Sequence, residues 1–144
     1  MPKLRMHHGI GVLALAFCLA APAAFAETIE LKASLKASEE VPPNDSAATG
    51  ALKATYDTAS KQLTYDVTYS GLTGDATMAH FHGPAEPGKN AGVVVPVKGS
   101  VASPIAGSAT LTDAQEADLL AGRWYFNVHT AANKGGEIRG QVTK

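Results

Sequence analysis

The chain has 144 residues, of which 45% are hydrophobic, with a single cysteine and a formal net charge of −1. That length and balance suit one globular domain rather than a disordered chain. The charge is mixed and weakly acidic with no Lys/Arg cluster, which argues against nucleic acid or an anionic membrane surface as partner.

The N-terminal segment "MPKLRMHHGIGVLALAFCLAAPAAFA" has a basic start at Lys3 and Arg5, an uncharged centre, and small residues at Ala24 and Ala26. This is the pattern of a cleavable export signal over residues 1–26, leaving one domain at 27–144. The stretch from Gly9 to Ala26 approaches the length of a membrane span, but Pro22 and the Ala-x-Ala ending favour cleavage. Phe17 precedes Cys18 where a lipoprotein needs a small residue, so lipidation is disfavoured. Cys18 departs with the signal and no disulfide remains, although the expected periplasmic or extracellular location would permit one.

The following periods are mostly two. In Thr28–Ala37, Ile29, Leu31, Ala33, Leu35 and Ala37 alternate with polar residues, which predicts a strand with one buried face. "EEVPPNDSAATG" reads as a loop. Leu52, Ala54 and Tyr56, then Leu63, Tyr65, Val67 and Tyr69, predict a hairpin around "DTASKQ". Ala76 to His82 predicts a fourth strand, stopped by "GPAEPGKNAG", and Val93 to Val97 a fifth. Ser108 to Leu111 leads into Thr112 to Ala121, the one predicted helix. Thr112 and Gln115 have capping-box spacing, Asp113 and Glu116 suit the positive end of the helix dipole, and Gly122 can end the helix. Arg123 to His129 and Glu137 to Val142 predict two last strands around "TAANKGG". Short strands, Gly/Pro/Asn punctuation and one small helix indicate an all-β, antiparallel sandwich or barrel.

Of the five histidines, His7 and His8 belong to the leader, so the domain retains His80, His82 and His129. Residues two apart on a strand share a face at a Cα spacing of about 6.6 Å, so His80 and His82 can converge on one ion. In "RWYFNVH", Trp124, Phe126 and Val128 make the apolar face, which directs Tyr125, Asn127 and His129 away from the core. If the two strands share a sheet, three imidazoles share a surface, a donor set suited to Cu(I), Cu(II) or Zn(II). The alternative is that His80 and His82 only bond loop carbonyls and shape the turn at Gly83-Pro84. Met78 behind them reads as a packing residue.

Glu137 and Arg139 flank Ile138 and share a face, most simply as a cross-strand charge pair; the sharper alternative has Arg139 attracting an anion to the histidines. Neither a paired-acid motif nor a nucleophile elbow is present, so hydrolase chemistry is unsupported.

The blocks "HFHGPA" at His80–Ala85, "LTDAQ" at Leu111–Gln115, "NVHT" at Asn127–Thr130 and "GEIRGQ" at Gly136–Gln141 together resemble the CHRD domain, found in chordin and in exported microbial proteins, from about Ile29 to Val142. The resemblance implies an immunoglobulin-like, Greek-key β-sandwich or barrel distantly similar to Cu,Zn superoxide dismutases. Within it His80 and His82 look like the HxH copper pair, His129 like the late copper histidine, and Arg139 like the anion-steering arginine. No histidine remains for a bridging position or a zinc site. The expectation is therefore an exported, non-enzymatic binding module with a copper site, zinc being the lesser fit, whose partner is a metal ion or another exported protein. The alternatives are a copper-dependent superoxide scavenger and an adhesion domain whose histidines shape a strand-loop junction.

Overall fold

A computed structural model describes residues 26–144. The expected export signal, apart from Ala26, therefore lies outside the described residues. Eight strands form one antiparallel sheet: β1 (Thr28–Lys36), β2 (Thr49–Asp57), β3 (Gln62–Ser70), β4 (Ala76–His82), β5 (Val93–Pro96), β6 (Ile105–Thr110), β7 (Tyr125–Thr130) and β8 (Ile138–Gln141). Among the described residues one α-helix, α1 (Asp113–Leu120), joins β6 to β7. The order across the sheet is β5-β4-β7-β8-β1-β2-β3-β6, so the β3–β4 and β6–β7 connections cross over in Greek-key fashion. The sheet curls into a nearly closed barrel whose edges are β5 and β6. Gln115 of α1 reaches across with its Nε2 to the Val94 carbonyl at 3.4 Å.

The period-two pattern explains the interior. Leu31, Ala33 and Leu35 of β1 are buried and meet Leu52, Ala54 and Tyr56 of β2 and Leu63, Tyr65 and Val67 of β3 in one core. From the other wall come Ala79, Phe81, Phe126, Val128 and Ile138, and Trp124 closes one end. Phe81 lies at its centre, with its ring centroid 5.0 Å from Tyr65 and 4.8 Å from Phe126, both edge-on. The helix forms as its sequence predicts: Thr112 accepts from the Gln115 N–H, the Gln115 side chain accepts from the Thr112 N–H, and Leu119 enters the core.

The structure departs from expectation in several places. β6 begins at Ile105 rather than Ser108, because Ile105 is fully buried opposite Val67 while Ala106 and Gly107 show no apolar alternation to announce the strand. After β1 the chain turns through Ala37–Glu39, where the Ala37 carbonyl accepts from the N–H groups of Glu40 and Asn44. In β7 all six residues are buried. Its outer face, expected to be open, lies under a second layer of loops that includes Glu40, the Lys89–Ala91 segment and Lys134.

Candidate metal centre

β4 and β7 are neighbours, with His80 opposite Asn127, His82 opposite Tyr125 and Met78 opposite His129. Strand alternation turns Ala79 and Phe81 inward, so His80 and His82 face out onto the layer that also holds His129. One ligand atom from each of His80, His82 and His129 can be chosen so that all lie within 4.8 Å of one another. His82 and His129 are buried and His80 is partly exposed.

The loop layer sets the imidazole tautomers. His82 Nδ1 is 2.9 Å from the Ala91 carbonyl and His129 Nδ1 is 2.9 Å from the Lys134 carbonyl. A carbonyl only accepts, so both Nδ1 atoms carry protons and both Nε2 atoms present lone pairs. His80 Nδ1 lies 3.1 Å from His129 Nε2 and donates to it. His82 Nε2 is buried with no partner in hydrogen-bond geometry, as is Asn127 Oδ1, although Asn127 stands close enough to oppose the fall in the His82 pKa. An unpartnered His82 nitrogen beside two further imidazoles, with His82 and His129 each oriented by a backbone carbonyl through Nδ1, is a donor arrangement suited to a metal ion. Burial pushes the His80 imidazolium below its usual range, and the neighbouring His129 and His82 push the same way. Burial likewise lowers His82, outweighing the Ala91 carbonyl and Asn127, with His129 and Arg139 adding to the effect. Neutral imidazole is the metal-binding form.

Arg139 and Glu137 do not form the expected charge pair. Arg139 is 2% exposed, with its guanidinium carbon 3.4 Å from the Tyr125 ring centroid. Its Nη atoms donate to Asn90 Oδ1 at 2.9 Å and to the Lys89 carbonyl. His82 also stacks on the Tyr125 ring, at 4.7 Å between centroids and nearly parallel. Arg139 thus supports the ring on which His82 rests and pins the loop that orients His82.

Glu137 is fully buried and tied elsewhere. Its carboxylate accepts from Ser46 Oγ at 2.6 Å, the Thr73 N–H and Oγ1 at 2.8 Å, Thr130 Oγ1 at 2.6 Å and Asn133 Nδ2 at 3.2 Å. Burial alone would raise its pKa, but the bonds from Ser46, Thr130 and Thr73 outweigh it and hold the carboxylate at about 2.

Glu40 and Tyr125 are parts of the site that sequence reasoning missed. Glu40 accepts from Asn127 Nδ2 at 3.4 Å, and burial pushes its pKa up to about 7 against the opposing pull of Arg139, Asn127 and the Val41 N–H. Tyr125 and Asn127 shared the parity of His129 and could have been found by it. Glu40, in an irregular loop, carried no such signal.

The fold and site together define an antiparallel Greek-key barrel with a three-histidine cluster on one outer face. The CHRD domain model matches residues 31–142, and the chain belongs to the CHRD domain family. No match was found among curated proteins or among solved structures. No helix among the described residues is long and apolar enough to cross a membrane.

Proposed function

We propose that this chain is an exported, non-enzymatic binding module that holds a copper ion, with zinc the poorer fit, at His80, His82 and His129. The observation that carries the reading is the convergence of three imidazoles, one of which keeps a buried nitrogen with no protein partner. Three neutral nitrogen donors suit copper in either oxidation state, and a bound copper would supply a one-electron redox centre. His82 and His129 would bind through Nε2, held in place by the carbonyls of Ala91 and Lys134. His80 would give up its hydrogen bond to His129. With no fourth histidine in residues 27–144 to bridge a second metal, holding the ion fits this inventory better than turning over superoxide. The burial of Arg139 beneath the Lys89–Asn90 loop gives the scavenger reading less support than the histidines give the binding reading.

The adhesion-domain reading draws on the second half of the same block. Gly83 and Ala85 belong to the scaffold: the Ala85 N–H donates to the Arg123 carbonyl at 2.8 Å, and a Cβ on Gly83 would lie within 2.9 Å of Trp124 Nε1. The test is titration of the purified protein with Cu(I), Cu(II) and Zn(II) beside His82→Ala. Loss of affinity on the order of 100-fold in the variant is expected, since it removes a ligand rather than an outer partner. Equal and weak binding by both proteins would overturn the reading.

A further inference from the structure

Met78 does not pack as its residue type suggests. It is 47% exposed and stands outside the hydrophobic core cluster, one of two large apolar side chains so exposed among the described residues. It precedes His80 by two residues on β4 and shares its face by strand alternation. Its cross-strand partner is His129, and directly opposed residues on one face of a sheet hold their Cβ atoms about 4.5–5.5 Å apart. The β4–β7 ladder also slips between Ala76 and Met78, an irregularity of the kind that re-aims a side chain beside a site. Of the three imidazoles only His80 reaches the surface, so the cluster opens on the strand that carries Met78.

We infer that Met78 is a fourth ligand, a thioether that makes the centre selective for Cu(I). The inference rests on the three-histidine reading and specifies which ion it serves. A thioether is soft, neutral and indifferent to pH, and it favours Cu(I) over Zn(II). With three neutral imidazoles it forms a set that brings no negative charge to offset a divalent ion. The Arg139 guanidinium lies nearby and adds positive charge, stacked on the Tyr125 ring against which His82 packs. A monovalent soft ion is therefore the better match. The three rotatable bonds of methionine let the sulfur fold back over the opening from its exposed position.

The test compares Cu(I)-loaded protein, prepared anaerobically under reductant, with Met78→Leu. The replacement conserves volume at an exposed position, so the fold is not at stake. Copper K-edge absorption should show a sulfur neighbour at bonding distance in the unsubstituted protein and none in the variant. The ratio of Cu(I) to Zn(II) affinity should fall about tenfold or more. A nitrogen-only shell in the unsubstituted protein, or an unchanged affinity ratio, overturns the Met78 assignment while leaving the histidine site standing. If His82→Ala binds all the metals as well as the unsubstituted protein does, the histidine site fails and this inference falls with it.

Discussion

At the scale of single residues, the positions around the site are determined by what lies against them. Gly136 has φ +127°, and a Cβ there would come within 2.6 Å of Asn127 Nδ2 and closer still to Glu40 Oε1. Only glycine meets both demands, since an L side chain is strained at that φ and would displace the pair that backs β7. Gly136→Ala should therefore lower unfolding stability by roughly 2–4 kcal/mol, read from the midpoint of urea denaturation; a loss under about 0.5 kcal/mol would mean that the Glu40–Asn127 contact yields freely. The same residue-scale logic sorts the "HFHGPA" block. His80 and His82 face the site, Phe81 fills the core, and Gly83 and Ala85 fit against Trp124 and Arg123. One short run thus serves two purposes, which is why its spacing alone left both ligand and scaffold open.

At the scale of elements, Glu137 joins parts of the chain that the sheet does not. Its carboxylate collects donors from the segment before β2, from the β3–β4 connection, from the end of β7 and from the β7–β8 turn. Its folded pKa of about 2 lies below the ordinary 4.5. The unfolded chain therefore binds more protons between those values, and stability rises with pH through that window. The contribution, on the order of 3 kcal/mol, is fully present above pH 4.5 and is lost as pH falls through 2. Glu137→Gln should accordingly be destabilised at neutral pH and should lose most of the acid dependence that the unsubstituted protein shows below 4.5, as followed by denaturant titrations across that range. Parallel pH profiles for the two proteins would show that Glu137 is not the group responsible. Sequence reasoning read Glu137 as half of a surface pair because alternation reports only the face a residue occupies. It does not report that three loops and the end of β7 converge on that face.

At the scale of the whole molecule, the sheet places the candidate centre one strand in from the open seam. The centre sits on the β4–β7 wall beneath the loops, while the barrel's edges at β5 and β6 meet around Gln115. His80 and His82 belong to β4, His129 to β7 and both orienting carbonyls to loops that fold over the sheet, so an ion bound there engages the native state only. Such an ion should raise the apparent unfolding free energy by about 2.7 kcal/mol at a free concentration one hundred times its dissociation constant. For a domain of this size that is a rise in Tm on the order of 10 °C, measurable by scanning calorimetry with Cu(I) and absent in His82→Ala. An equal rise in both proteins would place the stabilising ion elsewhere.

Much of this was legible beforehand, and the limit has a physical origin. Period-two alternation located the strands and their buried faces, capping chemistry located α1, and the parity of Trp124, Phe126 and Val128 put His129 on the face opposite the core. These are local properties, set by backbone geometry over a few residues. The sequence by itself therefore determined an all-β chain with three histidines on outward faces, in the blocks of a CHRD domain. Only the tertiary structure decided that β4 and β7 are neighbours, that the outward face of β7 is buried, that Arg139 stacks on Tyr125 and that Met78 stands exposed opposite His129. Strand order and loop cover join residues some 50 to 90 positions apart, and no local pattern encodes which distant segment will supply the other half of a contact.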